Sequence, residues 1–220
     1  MIWEPLKLSL LVVTVATLII ATLGLALALL LAKGRFRGKE LLASLFTLPL
    51  VLPPTVSGYY LIVLLGRHGL IGEPVYNLTG WTVAFTWQAA VIAAIVLALP
   101  LMILSARAAL ESVNPQFEIA SYTLGKSRLA TFFRITMPLA QRGIIAGVVL
   151  SFTRALGEFG ATFMLAGNIP GKTQTMPLAI YEAVVSGEDK RAQLLALILT
   201  GISIMAVYFT SKLTRGAIKY

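Results

Sequence analysis

NPQFEIASYTLGKSRLATFFRITMP, residues 114–138, is the stretch whose reading decides the fold, because it separates two runs built for a different solvent. Before it lies 82–106, which has no charge. After it lies 143–166, apolar apart from Arg154 and Glu158. A helix needs about 20 apolar residues to cross the hydrocarbon of a bilayer. Three further runs qualify: 8–32 and 41–65, both uncharged, and 192–211, shorter but also uncharged. Unpaired backbone amides are too costly in lipid, and no alternation suited to a closed barrel is present, so helix is the expected state. The reading is therefore an all-α, polytopic membrane protein of about five transmembrane helices forming one unit over 8–213, with 114–138 as a loop outside the bilayer.

Composition agrees. The chain has 220 residues, 58% hydrophobic and 12% charged, against about 25% charged in soluble domains. The net charge of +9 does not point to nucleic acid, because the basic residues sit in short clusters between apolar runs and no nucleic-acid motif appears. There is no cysteine and one histidine, His68, so neither a disulfide, a thiolate site nor a histidine metal cluster is expected. The apolar stretch after MIWEPLKLSLL lacks a small-residue cleavage site and reads as a retained span.

Basic residues set the expected orientation. Lys33, Arg35, Arg37, Lys39, Arg107, Lys126, Arg128, Arg134, Arg142, Lys212, Arg215 and Lys219 fall on one side of a five-span arrangement. Lys7, Arg67, Lys172, Lys190 and Arg191 fall on the other. The N-terminus is thus expected outside and the C-terminus in the cytoplasm. A sixth crossing at 176–185 fails on length, since ten residues of helix reach only about 15 Å; that segment is expected at the outer interface or re-entering part-way. Trp81 and Trp87 are expected to mark the outer interface.

Within 114–138, Asn114 suits an N-cap and Pro115 the first helical position. Gly125 is placed to end that helix in a left-handed turn. Ser127 can cap a second short helix running towards Pro138. Phe117, Ala120 and Leu124 share one face of the first helix. That face fits either a groove on a partner protein or the membrane surface.

In span two, TLPLVLPPTVSGY predicts a kink or break around Pro49, Pro53, Pro54 and Gly58, read either as packing or as lining of a pathway together with Ser57. Arg154 and Glu158 are the charges inside a span, four residues apart. Intramembrane charge is rarely idle. Mutual neutralisation is the favoured reading for Glu158, while for Arg154 it stands level with a role in an anion pathway. AGNIPGKT at 166–173 nearly fits a phosphate-binding loop, but a span precedes it and Pro177 follows, so a turn is expected instead. No catalytic cluster is found.

The 114–138 segment resembles the coupling loop of binding-protein-dependent ABC importers, whose pattern is EAA, three residues, Gly, nine residues, Ile-x-Leu-Pro. Gly125, Ile135 and Pro138 match. Ile119, Ala120 and Ser121 stand at the EAA positions, with Glu118 one residue early and Met137 where leucine is usual. LPLVLPPTVSGY and TRALGEFGATFMLAGNIPGKTQTMPLAIY further resemble the permease subunits of molybdate importers, with looser likeness to sulfate and tungstate permeases. The resemblance implies the type I importer permease fold and a homodimer of permeases. It also implies two cytoplasmic ATPase subunits that bind ATP and Mg, so that this chain needs no cofactor, and an extracytoplasmic molybdate-binding protein. It implies that Phe117, Glu118, Ala120, Leu124, Gly125, Ile135 and Pro138 couple to the ATPase. Pro53, Pro54, Ser57, Arg154 and Glu158 would line the path, and Asn168, Pro170 and Gly171 would face the binding protein.

Overall fold

The computed structural model describes residues 2–34 and 36–216. Arg35 and Lys219, both counted in the topology above, lie outside them. Helix α1, Trp3–Lys33, is followed by α2, Lys39–Val51, α3, Pro54–Leu65, the short α4, Gly72–Thr79, and α5, Trp87–Glu111. The 114–138 segment contains α6, Pro115–Thr123, and α7, Arg128–Thr131. A π-helical turn at Phe132–Thr136 leads into α8, Met137–Leu156, followed by α9, Gly160–Ala166, α10, Met176–Val185, and α11, Asp189–Gly216. Among the described residues, four helices are long and apolar enough to cross a bilayer, and the pair α2 and α3 makes a fifth crossing if counted as one.

Helix α5 is the central post. Some 67% of its apolar window is buried inside the protein, against 28% for α1 and 11% for α11. Its alanines, from Ala89 to Ala106, let α1 and α8 approach closely. Glycines do the same from the other side: a Cβ on Gly147 would stand 3.1 Å from Ser105 Cβ. Small residues at such crossings are how helices associate without a hydrophobic driving force. The outward faces of α1, α3 and α11 carry exposed Leu, Ile and Val, as a lipid-facing surface should.

Two expected spans are broken. In 41–65 the chain turns by 115° between α2 and α3. Leu52 and Pro53 are extended there, and the consecutive prolines cannot supply the amides a continuous helix needs. The expected run 143–166 needs correction. Its long helix begins earlier, at Arg128, and ends at Leu156. Gly157–Phe159 interrupt it, and α9 starts afresh at Gly160. The second halves, α3 and α9, lie side by side: a Cβ on Gly160 would sit 3.0 Å from Pro54, and one on Gly58 would sit 2.8 Å from Ala161 Cα.

The expected helix from Ser127 does not stop near Pro138. Ser127 Oγ accepts from Ala130 N–H, as a cap should. The chain then widens into the π-helical turn, where Met137 N–H donates to Phe132 O, and continues through Pro138 into α8. A wider turn keeps the Pro138 ring clear of the carbonyl one turn before it, which an α-helix would not. Helix α10 has ten residues and packs its Met176 and Ala179 face against Leu195 of α11.

Candidate functional site

The loop at 112–137 is held as a rigid bracket. Asn114 Oδ1 accepts from Gln116 N–H at 3.0 Å, which caps α6. At the other end Gly125 adopts φ 74°; its N–H reaches Tyr122 O, and Lys126 N–H reaches Ser121 O. That double closure is the Schellman arrangement, which needs a left-handed residue. Ser121 and Thr131 hydroxyls meet at 2.8 Å in the buried angle between α6 and α7.

Glu118 ties this bracket to the transmembrane body. Its carboxylate accepts from Lys33 Nζ at 2.8 Å, at the end of α1, and from Thr136 Oγ1 at 2.7 Å, in the π-helical turn. Burial alone would raise its pKa, but the hydrogen bonds from Lys33 and Thr136 outweigh that and hold it below the usual carboxylate value. Glu118 therefore faces inward. The face left open is apolar: Phe117, Ile119 and Leu124 are exposed, with Leu124 78% accessible, and Ala120 lies open among them. Ile135 is half-buried and Pro138 is exposed. Lys33 and Thr136 were not singled out in the sequence. Lys33 read only as a topology charge, and Thr136 carried no signal.

At the break between α8 and α9, Arg154 donates to Glu158 Oε2 at 2.6 Å, and Glu158 Oε1 accepts from Ala161 N–H at 2.8 Å. Glu158 lies beyond the end of α8, so it pairs with the last turn of one helix and caps the next. Its side chain is 2% exposed, and that of Arg154 is 28% exposed. Ser151 Oγ anchors α8 to Ala98 O in the middle of α5. Across from α9, Pro53 and Pro54 are exposed, and Ser57 is buried with no partner for its hydroxyl among the described residues.

The far end of the molecule is closed by the segment after α9. Lys172, Thr173 and Gln174 N–H groups all turn to Ile169 O, while Thr173 Oγ1 bridges Ile169 N–H and Gly167 O. Those amides are directed into the turn, not outward to a phosphate. Gln174 Nε2 donates to Asn168 Oδ1 at 3.1 Å and to Glu182 of α10. Pro170 and Gly171 are exposed, and Gly171 lies beside Glu4 at the start of α1. Met176 N–H donates to Ser9 Oγ, so α10 is fastened to the end of α1 opposite Lys33. Phe85 has φ 60°, a strain of roughly 1–2 kcal/mol for a side-chain-bearing residue. Its N–H donates to Leu165 O, and its ring lies against Gly167.

The sequence pattern of the family described as "Binding-protein-dependent transport system inner membrane component" matches residues 9–214. The chain belongs to this family. It is a multi-pass inner-membrane permease component and not an enzyme. Among similar proteins, the molybdenum transport system permease protein ModB of Escherichia coli K12 is 45% identical over 217 residues, covering 97% of this chain and 95% of that protein. The putative molybdenum transport system permease protein YvgM of Bacillus subtilis 168 is 43% identical, covering 94% and 91%. The sulfate transport system permease protein CysW of Synechococcus elongatus is 35% identical, covering 93% and 71%. The fold of this permease matches a chain of the MetNI methionine ABC transporter with a TM-score of 0.75 at 14% identity, over 99% and 94% of the two chains. It also matches a bacterial ABC transporter that imports alginate, with a TM-score of 0.78 at 16% identity, over 98% and 79%.

Proposed function

We propose that this permease carries molybdate into the cytoplasm as the membrane subunit of an ABC importer. Two copies would surround the path, two cytoplasmic ATPase subunits that bind ATP and Mg would dock on the loop at 114–138, and an extracytoplasmic binding protein would deliver the anion. The observation that carries the reading is the open apolar face of Phe117, Ala120 and Leu124 on a bracket clamped to α1 and α8. Such a bracket transmits force from a motor to the spans, and ATPase closure then shifts the balance between inward and outward states. Identity of 43–45% with two permeases named for molybdenum supports the cargo.

Lys33 and Glu118 share one end of the molecule, and Glu4 and Gly171 share the other. The basic clusters lie toward the first end, which supports the reading that the N-terminus is outside and the C-terminus in the cytoplasm. The segment Asn168–Gly171 then faces the binding protein, and Pro53, Pro54, Ser57, Arg154 and Glu158 mark the path at the level of the two breaks. Gly125, Ile135 and Pro138 shape the docking loop, and Glu118 acts in it as the inner clamp.

The test is uptake of labelled molybdate into vesicles holding this chain, its ATPase and its binding protein. ATP-dependent uptake that excess sulfate leaves intact supports the assignment. Uptake without the ATPase sinks the importer reading, and preference for sulfate moves the cargo to the CysW-like alternative. Because the chain has no cysteine, single cysteines at Phe117 and Gly171 can be labelled from either face to check sidedness.

A further inference from the structure

At the end of the molecule opposite the coupling loop lies a cavity of about 630 Å³ that transport as described above does not use. Its walls are Ile62 and Val63 of α3 and Ala84 and Phe85 ahead of α5. This volume is within the range of about 300–1,000 Å³ typical of ligand sites. Thr82 also contributes to the lining. The strained Phe85 supplies a half-exposed ring. Arg67 lines the same cavity and is held in place: its guanidinium lies 4.3 Å from the centre of the Tyr76 ring and donates to the Tyr76 hydroxyl at 2.8 Å. Trp81, exposed and next in sequence to Thr82, is the kind of aromatic residue enriched at headgroup depth.

We propose that this cavity is a binding site for an anionic phospholipid, with an acyl chain against Ile62, Val63 and Phe85 and the phosphate at Arg67. The ligand chemistry follows from the lining. A soluble oxyanion has no use for the apolar walls, and a neutral lipid brings no net charge to the exposed, pre-positioned Arg67 guanidinium. An anionic phospholipid matches both. Occupancy has a structural consequence. A chain packed on Phe85 pins the ring that rests on Gly167, and with it the end of α9 and the closing segment behind it.

The experiment is native mass spectrometry of the full chain in its transporter complex, taken from nanodiscs of phosphatidylglycerol or of phosphatidylcholine. Retention of one phosphatidylglycerol per chain is expected. Arg67→Gln should lower that retention by about tenfold, the equivalent of one lost charge-assisted contact, and leave phosphatidylcholine unchanged. Ala84→Trp, which fills the chamber, should abolish it. If that variant fails to fold, Val63→Trp at a more exposed wall position replaces it. Equal retention in the wild type and the filled variants overturns the site. Equal retention of the two lipids with no Arg67 effect overturns the anionic assignment, as does displacement of the lipid by inorganic phosphate alone.

Discussion

Lys33 and Glu118, 85 positions apart, meet at 2.8 Å where the end of α1 passes behind α6. The contact joins the first span to the loop proposed to receive the motor, and Thr136 extends it to the root of α8. A push on the apolar face of α6 therefore reaches two spans directly. Because Lys33 is 42% exposed, the pair adds at most about 1 kcal/mol to stability. Its weight is in transmission. Lys33→Ala and Glu118→Gln should leave the melting temperature within a few degrees of wild type while cutting molybdate uptake relative to ATP hydrolysed. The double exchange, Lys33→Glu with Glu118→Lys, should recover part of that coupling. A matching fall in stability and no recovery in the exchange would show a structural role only.

The same carboxylate predicts a pH response. Its folded value lies below the unfolded value of about 4.3, so its contribution is complete above that pH and is lost as pH falls through the folded value. Hydrogen-exchange protection of α6 should therefore stay level from neutral pH down to about 5 and weaken below about 4. In Lys33→Ala, which loses the main hydrogen bond depressing that value, burial becomes the dominant cause, the folded value no longer lies below the unfolded one, and the loss of α6 protection below about pH 4 should shrink or vanish. An acid-induced loss as large as in the wild type would contradict the assignment.

How much of this was legible in the sequence depended on range. Gly125 was readable because a left-handed helix end suits glycine and little else. Asn114 and Ser127 were readable because caps are local. Pro53 and Pro54 announced their break for the same reason. The break at Gly157 was not seen, because apolar residues continue on both sides and hydropathy records length, not direction. It was Glu158, satisfying Ala161 N–H, that permitted the chain to restart there. The Lys33–Glu118 contact was beyond reach, since nothing local links positions 85 apart. Phe85 gave no sign of its unusual backbone.

Gly125 separates backbone strain from steric exclusion. Among the described residues, and its own chain neighbours aside, no atom lies within 4 Å of a Cβ built there, so a side chain meets open space. The cost of Gly125→Val is thus conformational, at roughly 1–2 kcal/mol, while Gly125→Asn should cost less. Valine should loosen the α6–α7 angle and lower co-purification of the ATPase, with asparagine near wild type. Equal loss in both would mean that the position contacts the partner.

Gly58 and Gly24 make the complementary comparison. A Cβ at Gly58 would stand 2.8 Å from the Ala161 Cα, and α3 and α9 would have to separate. At Gly24 it would meet Met102 Cγ at 2.6 Å and Cβ at 3.0 Å, so relief takes a rotamer change of one buried side chain and not a separation from another helix's backbone. Gly58→Ala should therefore lower thermal stability in detergent by about 1–3 kcal/mol, and Gly24→Ala by less. The reverse order would mean that the approach of α3 to α9 is looser than the geometry requires.

Arg154 and Glu158 are unequal partners, and their variants should show it. Glu158 is 2% exposed and has a second duty to Ala161 N–H, whereas Arg154 is 28% exposed. Removing the arginine strands a buried carboxylate, a loss of about 3–5 kcal/mol when no relaxation intervenes. Glu158→Gln strands only the more accessible guanidinium and keeps an oxygen for Ala161 N–H. Arg154→Ala should therefore destabilise more than Glu158→Gln, and Glu158→Ala more than Glu158→Gln. Adding Glu158→Gln to Arg154→Ala should restore part of the loss, because the stranded charge is gone. Thermal unfolding in detergent reads all four. If the double variant recovers stability but not molybdate uptake, Arg154 serves the anion as well as its partner; if both recover together, the pair is architectural.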